Sequence, residues 1–318
     1  MRLPGFFIVG APKSGTSALH EFLRQHPDIF MPAFKEIHFF GSDLDWPRRP
    51  DRSEYLHCFA GWRAEAIAGE TSVYYLLSQR AAGEIRRFNP EARVIVMLRN
   101  PVDTIHSLYH QVRFNLHEDI DDFEAALAAE PRRALGLDFP ARGAKRQQLL
   151  YRATVRYAGQ VSRYFDTFGR DRVHVIVYDD FLGEPRRIYR EALQFLGVDA
   201  GFAARITQVN ASKVYRSRRL QSVLAHPPAW LARALRQVLP PVALRQAASR
   251  LYRINARPQA HPPMDTALRE RLVAEFRPEV DRLESLLGRD LDHWKRPPAA
   301  SPDPVVDASP SQAGREDA

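Results

Sequence analysis

One cysteine, Cys58, in 318 residues excludes an intrachain disulfide framework and a cysteine-built zinc site. Long hydrophobic runs are missing too: no apolar stretch approaches the roughly 18 residues that a membrane-spanning helix requires. No cationic-then-apolar leader pattern precedes the first apolar run, so a cytoplasmic protein is the expectation. Acid is scarce relative to base, with 38 Asp and Glu against 46 Lys and Arg and a formal net charge of +8. What the chain does have is 45% apolar and 26% charged residues, the balance of a soluble globular fold. Its length is enough to bury a substantial core, as one large α/β domain or two smaller ones.

The charge is unevenly placed. Residues 297–318 carry four acids against Arg315, a balance of −3, which leaves +11 on the rest of the chain. This terminal stretch is rich in Pro, Ser and Ala with almost no large apolar side chains, so burial cannot offset its ordering entropy and a disordered tail is expected. Residues 211–257 contain ten Lys or Arg and no acid, which implies an anionic ligand or surface; a solvated face is the plain alternative. Within them, Pro227-Pro228 and Pro240-Pro241 bracket an amphipathic piece in which Trp230, Leu231, Ala234, Leu235 and Val238 fall at helical spacing around Arg233 and Arg236. Residues 226–262 therefore suit three roles that the sequence leaves open. They are a peripheral contact with an anionic membrane at its inner surface, a lid over an acceptor, or ordinary packing on the core.

Short β-rich runs at 6–9, 66–68, 94–98 and 173–178 alternate with helical patterns at 17–25, 78–88, 101–113, 149–168 and 186–196. That alternation predicts an α/β fold, a P-loop-type three-layer sandwich with a central parallel sheet flanked by helices. Continuous apolar runs such as Val94-Ile95-Val96-Met97-Leu98 suit strands buried on both faces. A final amphipathic helix is expected over 265–294, with Leu268, Leu272, Phe276, Val280, Leu283 and Leu287 toward the core and Gly288 as its natural stop.

The first apolar run breaks into Gly10-Ala11-Pro12-Lys13-Ser14-Gly15-Thr16-Ser17. A strand, a tight loop and a helix beginning near Gly15 would turn free backbone N–H groups and a positive dipole end toward an anion. Gly10 and Gly15 allow the turn and the close approach. Ser14, Thr16 and Ser17 add hydroxyl donors and Lys13 a point charge. The two glycines have the spacing of a Walker loop, G-x-x-x-x-G-K-[ST], but Thr16 stands where the lysine belongs and the lysine lies three places back, at Lys13. Such a loop can hold a 5′-phosphate while lacking the lysine that reaches the β- and γ-phosphates, which ranks ATP hydrolysis second.

A companion motif follows the 94–98 run. Arg99 ends that strand, Pro101 opens a helix where its missing N–H costs nothing, and Ser107 lies about two turns further on. Arginine offers a planar fork for phosphate oxygens and serine a short donor, so the two can clamp one more phosphate. Two phosphate sites on one sheet edge suit a nucleotide phosphorylated at both ends.

With these two motifs in this order, the chain resembles the sulfotransferases that use 3′-phosphoadenosine 5′-phosphosulfate (PAPS), specifically bacterial members and the heparan-sulfate-type enzymes. In that family the P-K-[ST]-G-T loop binds the 5′-phosphosulfate, and an Arg and a Ser spaced eight apart bind the 3′-phosphate. The resemblance thus assigns Lys13, Ser14, Gly15, Thr16 and Ser17 to the first role, Arg99 and Ser107 to the second. Lys35-Glu36-Ile37-His38-Phe39-Phe40 is similar to the K-E-x-H-F-F segment of the heparan-type branch, whose glutamate is assigned as the catalytic base. Val177-Tyr178-Asp179-Asp180-Phe181 resembles a Y-E-D-L segment, and residues 286–294 resemble an L-G-x-x-L-x-x-W ending. The likeness runs over about residues 4–296, which implies one sulfotransferase domain at 1–296. It departs at Gly69-Glu70-Thr71, where Thr71 replaces an active-site lysine of the heparan-type enzymes; neither that lysine's role nor a glycosaminoglycan acceptor is carried over.

The resemblance implies in-line transfer of a sulfuryl group from PAPS to a hydroxyl, less readily an amine, of a carbohydrate, glycolipid or small-molecule acceptor. The reaction needs a base, positive charge and help for the departing phosphate, as phosphoryl transfer does. Glu36 is the expected base, His38 its alternative, and Lys13 the cation that neutralises the bridging oxygen. Lys213 and Tyr215, in a basic stretch expected to close over the nucleotide, are further binding candidates, and Asp179 is expected to hold a neighbouring turn. No metal and no nucleic-acid partner are expected. Two other classes stay open: a magnesium-dependent P-loop kinase or NTPase, and a non-catalytic protein that binds an anionic surface through residues 211–257.

Overall fold

Residues 6–10 form the middle strand of a sheet because every side chain in the run can be buried, on alternating faces. Phe6 and Ile8 pack to one side and Phe7 and Val9 to the other, all with no exposed surface. The computed structural model describes residues 2–140, 144–206, 213–225, 251, 254–258 and 262–296. Among them five parallel strands, β1 (Phe6–Gly10), β2 (Ile29–Phe30), β3 (Ile67–Thr71), β4 (Arg93–Leu98) and β5 (Val173–Val177), lie in the order β2-β3-β1-β4-β5. The chain leaves β1 toward β2 and β3 on one side, then crosses to β4 on the other. This reversal opens a crevice at the carboxyl ends of the middle strands, where open α/β sheets bind their ligands.

The helices are α1 (Thr16–Leu23), α2 (Arg52–His57), α3 (Ala81–Phe88), α4 (Pro101–Phe114), α5 (Phe123–Ala128), α6 (Glu130–Ala134), α7 (Tyr151–Thr154), α8 (Tyr157–Phe168), α9 (Tyr178–Gly183), α10 (Pro185–Leu196), α11 (Arg218–Ala225) and α12 (Thr266–Leu287). A short antiparallel pair, β6 (Lys213–Tyr215) and β7 (Ala256–Pro258), stands apart from the main sheet. On one face of the sheet Phe7, Val94, Val96 and Leu98 pack against Ile85 of α3, Ile105 of α4, Val161 of α8 and Phe276 of α12. On the other, Phe6, Ile8, Ile95 and Met97 meet Leu19 and Phe22 of α1 and Leu193 and Leu196 of α10. The three-layer α/β arrangement is the one the alternating runs predict.

Local chemistry sets the helices that carry the site. Asn100 caps α4 by accepting from the Val102 and Asp103 N–H groups, with Pro101 in the first turn. Asp265 caps α12 by accepting from Leu268 N–H at 2.9 Å, and Gly288, at φ 63°, ends it. The last expected residues of that helix instead form a 3₁₀ turn, Asp292–Lys295. The helix expected over 149–168 is also broken, into α7 and α8, with a 3₁₀ turn at Arg146–Gln148 just ahead of them. Glu279 of α12 accepts from Ala158 N–H at 2.7 Å, so a side chain distant in sequence caps a new helix start where local propensity would continue the old one. Of residues 226–262, only 251, 254–258 and 262 are described, so their lid, membrane or packing role lies outside the described residues, as does the 297–318 tail. No described helix is long and apolar enough to cross a membrane.

Candidate active site

The carboxyl end of β1 opens on a cleft of about 510 Å³, within the range of cofactor and small-molecule sites. Lys13, Gly15, Thr16, Ser17, Glu36, His38, Arg99 and Ser107 all stand on its wall, together with Lys35, Trp46, Tyr74, Gln111 and Tyr178. Gly15 is required twice over. Its φ is 86°, and a Cβ there would come within 2.9 Å of the Tyr178 ring. α1 starts at Thr16 with no side-chain cap, so no capping group competes with an anion for its dipole end. Lys13 is itself left-handed at φ 64° and donates from Nζ to Gln111 Oε1 at 3.2 Å. Ser14 differs from the expectation: its side chain is fully buried, off the cleft wall, with Oγ 3.5 Å from the Pro12 carbonyl.

Arg99 Nη1 donates to the Lys13 carbonyl at 3.3 Å and its guanidinium lies 5.1 Å from the centre of the Tyr178 ring. Ser107 joins it on the wall from the second turn of α4. Tyr178 is fixed from behind. Asp179 accepts from Trp294 Nε1 at 2.7 Å and faces His293 Nε2 at 3.2 Å, while Asp180 pairs with Arg289. Asp179 thus holds a turn, as expected, and the closing L-G-x-x-L-x-x-W segment fastens the strand end that presents the Tyr178 ring.

The segment between β2 and α2 supplies the cleft's opposite wall. Glu36 N–H donates to the Thr71 carbonyl at 2.8 Å, and Glu36 Oε2 accepts from Val73 N–H at 3.1 Å. His38 N–H donates to Ser72 Oγ at 3.3 Å; the Phe39 and Phe40 N–H groups donate to Tyr75 Oη at 2.9 and 3.2 Å. Tyr75, Tyr55 and Ser72 in turn each donate a hydroxyl to the buried Glu70 carboxylate at 2.7 Å. Glu36 and His38 have φ of 62° and 58°, a conformation that costs non-glycine residues on the order of 1–3 kcal/mol and persists where surrounding bonds over-determine it.

Burial against the cleft wall pushes the Glu36 carboxyl up to about 7, with the nearby Lys35 charge and the Val73 N–H pulling the other way. Burial pushes His38 down to about 4, so its ring is neutral at working pH; it stacks on Trp46 with centroids 3.7 Å apart. His38 Nδ1 lies 3.9 Å from Glu36 Oε2, and both that nitrogen and Trp46 Nε1 are buried without a hydrogen-bond partner. Burial also lowers Lys35, whose Nζ donates to Ser17 Oγ at 2.8 Å and Thr16 Oγ1 at 3.2 Å. Thr71 turns away from the cleft: it is buried, with its hydroxyl 3.0 Å from His20 Nδ1.

Lys213 and Tyr215 lie on β6, which pairs with β7; their side chains are outside the described residues. Gln221 of α11 donates to the Phe114 carbonyl at 3.0 Å, which brings the start of the basic stretch to the end of α4. Sequence reasoning did not single out Trp46, Tyr178 or Gln111 as cleft residues, and it gave Lys35 no role beyond its place in the K-E-x-H-F-F segment. For Lys35 the charge beside a candidate base was a visible signal; its reach to α1 depends on tertiary packing. Among the described residues no group of three or more His, Cys, Asp or Glu is placed to hold a metal.

Residues 3–223 match the sulfotransferase domain family. A solved sulfotransferase from Alicyclobacillus acidocaldarius is 32% identical, with 93% of this chain and 100% of that one covered and a TM-score of 0.70. The human bifunctional heparan sulfate N-deacetylase/N-sulfotransferase 3 is 26% identical over 316 residues, 93% of this chain and 31% of that protein. The mouse heparan sulfate glucosamine 3-O-sulfotransferase 6 is 36% identical over 114 residues, 35% of this chain and 31% of that protein. The chain thus matches less than a third of the length of either curated relative.

Proposed function

The chain belongs to the sulfotransferase domain family, and on that premise we propose that its cleft binds PAPS as sulfuryl donor and transfers the group to an acceptor hydroxyl. One observation supports the reading: Lys13 with the α1 start, and Arg99 with Ser107, stand on the wall of one cleft together with the Glu36 carboxyl, which burial raises. The uncapped α1 start and the Gly15 cradle fit a phosphate group. The Gly15, Thr16 and Ser17 backbone, the two hydroxyls and Lys13 would hold the donor's 5′ end, and Arg99 and Ser107 its 3′-phosphate. The donor supplies a sulfuryl group already activated by a phosphate leaving group.

Glu36 removes the proton from the acceptor hydroxyl as the acceptor oxygen attacks sulfur. The new S–O bond forms while the bond from sulfur to the bridging phosphate oxygen breaks; the proton ends on Glu36 and the negative charge on the departing nucleotide, where Lys13 neutralises it. His38, neutral and beside Glu36, is the alternative proton acceptor. The heparan sulfate enzymes among the relatives favour a carbohydrate acceptor, and the Trp46 and Tyr74 rings on the wall offer faces for a sugar or another ring. Residues 1–296 serve as one catalytic domain in this reading, with Lys213 and Tyr215 closing on the nucleotide, in a cytoplasmic setting. Incubation with ³⁵S-labelled PAPS and a panel of alkyl glycosides and phenols is expected to label a hydroxyl product; absence of both labelled product and sulfate release across the panel would reject the reading.

A further inference from the structure

The reaction as written leaves one cation on the cleft wall unused. Lys35 Nζ sits over the first turn of α1 and donates to Ser17 Oγ and Thr16 Oγ1 at 2.8 and 3.2 Å. Both acceptors are neutral hydroxyls, and among the described residues no carboxylate forms an ion pair with this ammonium; Glu36 and Glu21 act on it only through longer-range attraction. A half-buried charge held on neutral acceptors is poorly compensated, and an anion arriving at the α1 start would relieve that cost. Lys13 is engaged elsewhere, reaching Gln111 on α4. Lys13, in the loop itself, thus reaches toward α4, while Lys35 comes from the segment tied to the end of β3, where the Glu36 N–H donates to the Thr71 carbonyl. Thr71 itself is turned into the core, so the cation on this side of the loop comes from the adjoining segment.

We propose that Lys35 is a second catalytic cation, which on donor binding exchanges its two hydroxyl partners for oxygens of the sulfuryl group in transfer. This rests on the PAPS-dependent reading. Lys35 exchanges no proton in the step: it offsets the charge on the sulfuryl oxygens while Lys13 offsets that on the departing phosphate, and Thr16 and Ser17 are released to the 5′-phosphate. The test compares wild type, Lys35→Gln and Lys35→Arg in turnover of labelled PAPS and in calorimetric binding of adenosine 3′,5′-bisphosphate, which has the 5′-phosphate and lacks the sulfuryl group.

Lys35→Gln is expected to lower kcat on the order of 100-fold, the scale of losing one donor to a developing charge, with bisphosphate affinity held within about threefold. Turnover near wild type overturns the inference. So does a variant with weakened bisphosphate binding and unchanged kcat, which would make Lys35 a ground-state phosphate ligand. Should Lys35→Gln not fold, Lys35→Arg carries the test: retained binding with turnover down roughly tenfold is expected of a point charge replaced by a broad fork, and unchanged turnover overturns the role. Wild-type protein that neither binds the bisphosphate nor transfers label overturns the PAPS reading and this inference together, and that failure is visible without any substitution.

Discussion

The network around Glu70 and the cleft segment around Glu36 lie on two sides of the same stretch of backbone, residues 70–73, and treat their carboxylates in opposite ways. Burial raises both. Glu70 is 1% exposed and takes hydroxyl donors from Tyr55, Ser72 and Tyr75, so its oxygens are committed to holding the Phe39 and Phe40 backbone through Tyr75. Glu36 takes one backbone N–H and leaves a third of its side-chain surface open to the cleft. Saturation, more than burial, separates a structural carboxylate from one free to move a proton.

Exchanging the two acids for amides is the sharpest way to break this comparison. Glu36→Gln is expected to lower turnover of labelled PAPS at least ~100-fold, the scale of a general base, with bisphosphate affinity unchanged by calorimetry. Glu70→Gln should keep turnover within a few-fold; equal losses in both would mean that the two regions do not differ in the way their bonding indicates. At the nucleotide end, Arg99→Ala should weaken adenosine 3′,5′-bisphosphate binding about 10- to 100-fold, as loss of a hydrogen bond to a charged group does. Lys at that position should not restore it, because the planar fork is lost.

Glu36 also sets a pH response. As a base Glu36 must be ionised, so kcat/KM should fall about tenfold per pH unit below an apparent pKa of about 7, and this limb should vanish in Glu36→Gln. The smallest effects concern stability. Glu70→Gln should cost roughly 1–3 kcal/mol in urea unfolding, since one hydroxyl loses its acceptor. Glu36, raised above its ordinary value of 4.5, favours the fold fully below that pH and loses this contribution as pH rises through about 7. Glu36→Gln should therefore unfold at a higher temperature than wild type at pH 8, and at pH 5 the difference should shrink.

Much of this architecture was legible from residue order. The doubly buried strands, the loop from Gly10 to Ser17, the Arg99–Ser107 spacing and the Gly288 stop all follow from local rules, and the fold sets them where those rules point. What could not be read depends on partners distant in the chain. The helix break near Val155 is capped from Glu279, Ser14 turns inward beside a left-handed Lys13, and β2 has two residues held by pairing with β3. Thr71 could be seen to replace a lysine, but its contact with His20 and the approach of Lys35 to Thr16 and Ser17 exist only once β3 and α1 are packed.

The central claim is a cleft built for a nucleotide with phosphate at both ends, and isothermal calorimetry with adenosine 3′,5′-bisphosphate tests it most directly. The account predicts one-to-one binding without Mg²⁺ that weakens on removing either the 3′-phosphate from the ligand or the guanidinium of Arg99 from the protein. Binding of Mg-ATP with no measurable binding of the bisphosphate would contradict it.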